Sequence, residues 1–303
     1  MSLSQSATSI SIIIPLHNEE KRVMRCKERL ISYCEKKEWD FEIIFAQDNS
    51  TDNTASIINE FSLSDSRIKA LNIQTCAGKG GAIMSTVPLS TKKYLAYMDV
   101  DLAAGPPELV RLFEYINNYD IVIGSRILRD DLLPVKRRLY RSLLSYSYSA
   151  LFRRLFRVSI RDAQCGLKLF RKDLVSKLFD DTIVMDFAFD TDMIVTAFSQ
   201  GLTVKEVPVN WTDGKNSKIS IVEEISAMGI DIFSIWYRFH LLWKQGKKTY
   251  PQKKGSIFGR ILFNLLSLSK EIKRTQSKYL DKKRALENEI KHKMNISNCI
   301  SVA

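Results

Sequence analysis

Tyr94-Leu95-Ala96-Tyr97-Met98-Asp99-Val100-Asp101 reads as a short buried strand ending in two carboxylates one residue apart. Five apolar residues are too few for a core helix and suit a strand covered on both faces. Open α/β sheets take their ligands at the carboxyl ends of their strands, where this pair falls. Paired carboxylates there can hold a hard divalent cation, which in turn clamps a diphosphate. Taken alone, D-x-D reads equally well as a solvated loop, so the flanking chain has to decide.

Outward from this stretch, apolar runs alternate with helical patterns. Ser9–Ile14 is predicted as the first strand, stopped by Pro15, with a helix from about Asn18 to Lys37. Phe41–Ala46 is the second strand, and Ser50 or Thr51 can cap a helix over Ala55–Phe61. Ile68–Ile73, Tyr94–Met98 and Asp120–Gly124 complete five strands, with Pro106-Pro107-Glu108 opening an intervening helix. The alternation predicts an α/β fold with a mostly parallel sheet and helices on both faces. Beyond it, the pattern predicts a helix over Leu139–Val158 and a strand over Gly166–Phe170. Further helices are expected around Leu174 and over Thr191–Ser199, then a strand over Val204–Val209 and an aromatic-rich helix over Glu223–Trp243. Residues 1–243 form the expected catalytic domain, and 244–303 a basic, amphipathic, partly disordered helical extension.

The 303 residues carry a net charge of +12, unevenly spread. Residues 244–303 hold 15 Lys+Arg against 4 Asp+Glu, leaving the first 243 residues near neutral at 31 against 30. Arg126–Arg171 is a second basic region, with 12 basic and 3 acidic residues. Such patches suit an anionic membrane surface or a nucleic acid. Nucleic acid is disfavoured, because it leaves the ordered acidic motifs unexplained. Five cysteines without metal spacing point to reduced thiols in a cytosolic setting. Met1–Ser9 carries no signal-peptide pattern, and no apolar run approaches the ~18 residues of a spanning helix.

Several other stretches carry chemistry. Gln47–Thr54 follows the second strand, where Asp48 can accept from a base or ribose hydroxyl, or belong to a capped turn. Gly78-Lys79-Gly80-Gly81-Ala82 opens a helix whose free amides and lysine suit a phosphate, or is a plain glycine turn. It is not a Walker A loop, and the first strand carries no G-x-G-x-x-G. Gly124-Ser125-Arg126 brings a guanidinium toward the aspartates or to the surface. Asp190-Thr191-Asp192 starts a helix, where acids are favoured in any case. Asn216-Ser217-Lys218 is a second phosphate candidate or a loop cap, and the three histidines form no ligand set.

In order and spacing these stretches resemble family 2 glycosyltransferases of the GT-A fold, in the dolichyl-phosphate β-glucosyltransferase and polyprenyl-phosphate glycosyltransferase branch related to dolichyl-phosphate mannose synthase. The likeness rests on Ile12–Lys21 (I-I-I-P-L-H-N-E-E-K), Asp48–Thr54, Gly78–Ala82, Met98–Leu102 and Gly124–Arg126. It continues through Asp162–Phe170 (D-A-Q-C-G-L-K-L-F), Phe189–Asp192 and Glu206–Lys218, covering about residues 9–240. The resemblance implies a Rossmann-like GT-A domain with Pro15, Asn18, Glu19, Asp48 and Lys79 lining a nucleotide-sugar pocket. Asp99 and Asp101 would bind Mg²⁺ or Mn²⁺. Arg126, Ser217 and Lys218 would meet donor or acceptor phosphate, and Asp190 and Asp192 would face the sugar. The chain departs from the family pattern at Gln47, where a second carboxylate is usual, and at His17, where tyrosine is more familiar. Ala103 stands where mannose synthases place a metal-binding glutamine, which favours the glucosyltransferase branch.

The implied reaction is inverting, metal-dependent transfer of a hexose, glucose favoured, from a nucleotide diphosphate sugar such as UDP-glucose to a dolichyl or polyprenyl phosphate. The enzyme would sit peripherally on the cytoplasmic face of a membrane, docked through the helices at 139–157 and 225–243 and the short apolar segment 257–268. The alternative is a saccharide or protein hydroxyl acceptor, which needs deprotonation and would make Asp192 the general base.

Overall fold

The computed structural model describes residues 8–75, 77–128, 135–136, 139–186, 188–212, 231–240 and 270–300. The main sheet is built from β1 (Ser9–Leu16), β2 (Asp40–Asp48), β3 (Ile68–Ile73), β4 (Tyr94–Met98), β5 (Ile121–Ser125), β7 (Leu167–Arg171) and β8 (Val204–Pro208). Their order across the sheet is β3-β2-β1-β4-β7-β5-β8. β6 (Val135–Lys136) and β9 (Trp211–Thr212) form a separate parallel pair. All main-sheet pairs are parallel except those of β7, which runs antiparallel between β4 and β5. The chain order reverses around β1, which lies between β2 and β4, and this switch point is where α/β sheets open a ligand crevice.

The central strands β1, β4 and β5 are mostly apolar because both faces are covered, and period-2 alternation sorts the strand side chains. Ile13, Ile44, Leu95, Tyr97, Ile121, Ile123 and Phe170 point to one layer of core. Ile12, Ile14, Ile43, Phe45, Ala96, Met98, Val122 and Leu169 point to the other. The first layer is closed by α5 (Leu139–Phe156), α6 (Lys172–Asp181), α7 (Phe189–Ser199) and the helical residues 231–240, here α8. The second is closed by α1 (Glu20–Lys36), α2 (Thr54–Ser64) and α4 (Glu108–Phe113). α1 buries Val23, Cys26, Leu30 and Cys34, a stripe at helical spacing. Burial pushes the thiols of Cys26, Cys34 and Cys165 up to about 12, so they behave as core residues rather than nucleophiles.

Two expectations change here. The first helix starts at Glu20 rather than Asn18, because Asn18 adopts a left-handed backbone (φ 54°) and its side chain clips the next loop. Trp236, Tyr237 and Phe239, expected on an interfacial helix, are buried in the first core layer, and Phe233 is partly buried against it. Residues 223–230 and 241–269 lie outside the described residues. In the basic extension, expected to be helical, α9 (Lys270–Ile300) is a helix docked on the domain. Its Leu286 joins Ala77, Ala82 and Met185 in a third core cluster, and the Tyr279 hydroxyl donates to Asp231 Oδ1 at 2.9 Å. Among the described residues, no helix is long and apolar enough to cross a membrane.

Candidate active site

The site gathers where β1, β2 and β4 end. β4 delivers Asp99, and a tight turn follows in which the Ala103 amide donates to Asp101 Oδ1 at 3.0 Å. Burial, and then the charge of Asp99, raise the Asp101 pKa above the usual carboxylate range. Asp99 and Asp101, one residue apart at the end of β4, offer a donor set of hard oxygens that fits Mg²⁺ or Mn²⁺. Among the described residues, no group of three or more His, Cys, Asp or Glu side chains forms a metal cage.

Lys79 enters from α3 (Gly78–Ser85), with Nζ 2.9 Å from Asp99 Oδ1 and 3.6 Å from Asp190 Oδ2. Burial alone would lower its pKa, but Asp99 and Asp190 outweigh burial and raise it. Beneath it lies a fully buried network. Lys168 Nζ donates to Asp190 Oδ1 at 2.6 Å and to the Cys165 carbonyl at 2.7 Å, while the Tyr97 hydroxyl also donates to Asp190 Oδ1. Tyr97 and Lys168 meet because they are register partners on β4 and β7, on the face that α7 covers. Burial would push the Asp190 carboxyl up; Lys168 and Lys79 together hold it below its usual range, hence ionised.

The segment Asp162–Phe170 supports this arrangement at three points. Asp162 takes the Arg126 guanidinium side-on, Nε and Nη2 each donating at 2.8 Å, and Arg126 stacks 5.0 Å from the Trp211 ring centre. Lys168 neutralises Asp190. Gly166 gives Asp99 its room: a Cβ there would lie 1.8 Å from Asp99 Oδ2 and 2.4 Å from its Cγ. Gly166→Ala should therefore fold with a modest loss of stability, about 1–3 kcal/mol, as Asp99 rotates away. A displaced reacting group costs roughly 10²-fold, so turnover and Mn²⁺ affinity in the presence of UDP should fall by about that factor. Calorimetric titration and a rate assay check this; unchanged values would mean that Asp99 does not act in the orientation seen.

Not every expected residue is where the sequence reading placed it. Asp48 reaches the site, but its two oxygens accept from the Ala77 and Gly78 amides at 2.8 and 2.7 Å. The Gly80 and Gly81 amides donate to the Met185 carbonyl at 2.6 and 3.3 Å. Three of the amides expected to be free for phosphate, those of Gly78, Gly80 and Gly81, are thus consumed internally, and the Lys79 side chain is that loop's charged group. Asn18 accepts from the Thr51 amide at 2.7 Å, and Glu19 pairs with Arg22 at 3.1 Å, so both organise the ends of β1 and β2 beside Pro15. His17 Nδ1 donates to the Asp48 carbonyl at 2.7 Å. Asp192 is not at the site. Two residues along a helix turn a side chain by about 200°, to the far face from Asp190. There Asp192 Oδ2 accepts from the Ile183 and Val184 amides at 2.8 and 2.9 Å, and Arg238 closes over both oxygens. Its side chain is 0% exposed and can receive no proton from a substrate. Ser217 and Lys218 lie outside the described residues. Tyr97, Asp162, Gly166 and Lys168 are the site-supporting residues that the sequence reading did not single out by role. The signal for Lys168 was a lysine at an inward position of an apolar strand, which cannot remain unpaired there.

The fold is that of the GT-A glycosyltransferases, and solved structures share it. The glucosyl-3-phosphoglycerate synthase of Mycobacterium tuberculosis, in a complex with Mn²⁺, UDP and phosphoglyceric acid, aligns with a TM-score of 0.55 at 17% identity, covering 82% of this chain and 81% of that one. The mannosyl-3-phosphoglycerate synthase of Rubrobacter xylanophilus aligns at 0.58 and 15%, covering 82% and 78%.

The chain belongs to glycosyl transferase family 2, whose model matches residues 11–179. It is 30% identical over 249 residues to the dolichyl-phosphate beta-glucosyltransferase of Dictyostelium discoideum, spanning 78% of this chain and 76% of that protein. The Drosophila melanogaster protein of the same name is 31% identical, spanning 76% and 75%. Glycosyltransferase AglD of Haloferax volcanii is 29% identical over 87% of this chain, which spans only 42% of AglD. The protein is a glycosyltransferase.

Proposed function

We propose that the protein transfers a hexose, glucose by preference, from a nucleotide diphosphate sugar to a polyprenyl or dolichyl phosphate, with inversion at the anomeric carbon. The observation that carries the acceptor class is the enclosure of Asp192. A hydroxyl acceptor would need a general base, and the carboxylate expected to serve is sealed by two amides and Arg238. A phosphate monoester, with a second pKa of about 6, is already largely ionised at neutral pH and needs none. The names of the Dictyostelium and Drosophila relatives support the same acceptor.

Asp99 and Asp101 would hold Mg²⁺ or Mn²⁺, which when bound supplies charge neutralisation for the departing diphosphate. Lys79 would shift its ammonium from Asp99 toward the diphosphate while Asp190 keeps it tethered. Asp190, ionised and fixed by Lys168 and Tyr97, would orient the sugar. The acceptor oxygen forms its bond to the anomeric carbon as the bond to the nucleoside diphosphate breaks, and that diphosphate leaves with the electron pair. In-line attack converts an α-linked donor to a β-linked product. Arg126, already committed to Asp162, would contribute its field and Ser217 and Lys218 direct contacts, all positioning rather than activating.

The lipid acceptor places the enzyme at a membrane, for which the proposed docking surface is α5, on the cytoplasmic face. There Tyr146 and Leu151 are outward while Phe152 and Phe156 are buried. Exposed Arg153 and Arg154 flank them, and each basic residue near an anionic surface contributes about 1 kcal/mol. A thermal-shift panel of nucleotide sugars with Mn²⁺, followed by turnover with polyprenyl phosphate and NMR of the product's anomeric centre, tests the reading. The expected result is stabilisation by UDP-glucose and a β-linked lipid phosphate. Transfer only to hydroxyl acceptors, or an α-linked product, would overturn it.

A further inference from the structure

We propose that Lys282, on α9, is a positioning residue for Lys79. This rests on the donor reading above for the ligand, and on contacts of the chain itself for the mechanism. The Lys282 ammonium lies 2.9 Å from Asp186 Oδ1. Asp186 in turn lies against Gly78: a Cβ there would meet Oδ1 at 2.2 Å and the Met185 carbonyl at 2.9 Å, and Gly78 adopts φ +76°. The Met185 carbonyl takes the Gly80 and Gly81 amides. Residues 185–186 are thus the floor on which the first turn of α3 stands, and Lys79 is part of that turn. The same segment leads into α7 and Asp190, the second partner of the Lys79 ammonium.

The rest of α9 is anchored so that Lys282 has little freedom. Leu286 lies 3.3 Å from where a Cβ at Gly81 would stand. Lys283 donates to the Phe179, Asp180 and Thr182 carbonyls at the end of α6, at 2.6–2.9 Å. Glu289 accepts from the Gln74 amide at 3.1 Å, on the chain between β3 and α3, and Lys293 donates to the Asn72 carbonyl near the end of β3. α9 therefore grips α3 from its entry loop and from its floor. The Lys282–Asp186 pair is partly exposed (18% and 37%), and pairs of that kind add little to global stability. Its effect falls instead on where α3 sits.

The test compares full-length Lys282→Met and Asp186→Asn with Lys282→Arg and with Arg284→Met, a residue 76% exposed on the same helix. Amide hydrogen exchange of the ligand-free protein reads α3 directly, and titration of UDP with Mn²⁺ reads binding. In Lys282→Met and Asp186→Asn, the Gly80 and Gly81 amides are expected to exchange about tenfold faster and the UDP dissociation constant to rise about tenfold, the lower end for losing an outer partner of a binding group. Lys282→Arg should restore both, and Arg284→Met should change neither. Unaltered exchange in both Lys282→Met and Asp186→Asn, or an equal effect of Arg284→Met, would overturn the assignment. Failure of the unmutated protein to bind UDP would instead refute the donor reading, with the exchange comparison still deciding the role of Lys282.

Discussion

Asp99→Ala is expected to lower turnover by about 10²- to 10³-fold, the range seen when one preorganised group facing developing charge is removed. The leaving diphosphate gathers negative charge as the glycosyl bond breaks, and among the described residues the geometry offers it Asp99 and Asp101 for a cation, with Lys79 alongside. The fold should hardly notice. Asp99 has a 36% exposed side chain, its ion pair among the described residues is with a lysine that retains Asp190, and partly exposed pairs contribute about 1 kcal/mol or less. Its removal also relieves the like-charge repulsion that helps raise the Asp101 pKa. Asp99→Asn separates charge from shape and should lose nearly as much activity, because an amide is a poor ligand for a hard cation. Single-turnover rates with excess enzyme, beside a melting curve, check both variants. Wild-type rates in either would remove the aspartate pair from the reaction.

What could be read from the chain divides along a physical line. Apolar runs and their spacing placed β1 to β5, because burial on both faces marks most residues of a strand, least so at the edge strand β3. The direction of β7 leaves none: Leu167–Arg171 reads the same whether it runs with or against β4, and only the sheet order reveals the antiparallel insertion. That insertion sets Lys168 opposite Tyr97 and Gly166 beside Asp99, so the Asp162–Phe170 segment was visible as a motif but not as a set of roles. Asp190 and Asp192 were treated alike because they share a motif. Once α7 is known to be helical at both positions, the 200° between them assigns one to the site and the other to Arg238. Aromatic content misled at α8, since Trp236, Tyr237 and Phe239 suit a membrane interface and a protein core equally well. The neighbours that decide between these, such as Ile232, Ile235 and the first core layer, are brought together only by tertiary packing.

Lys168→Met should destabilise the protein by about 3–5 kcal/mol, the cost of leaving one member of a buried ion pair behind. For a chain of this size that is a drop in Tm on the order of 10 °C. Lys168 is fully buried, and methionine fills much the same space, so the loss is electrostatic rather than a cavity. Asp190 keeps the Tyr97 hydroxyl and Lys79 at 3.6 Å, too little to hold an anion in a dry interior. Its carboxyl should then take up a proton far more readily, and Lys79 would lose the tether that keeps it near the diphosphate. The double variant Lys168→Met with Asp190→Asn distinguishes support from chemistry. It is neutral at both positions, and the introduced amide oxygen can still accept from Tyr97, so it should regain more than half of the lost stability while turnover stays low. If the double variant were no more stable than Lys168→Met, the pair would not be coupled in the way the 2.6 Å contact implies. If it regained activity along with stability, Asp190 would be scaffold only, and the sugar would have to be oriented by another group.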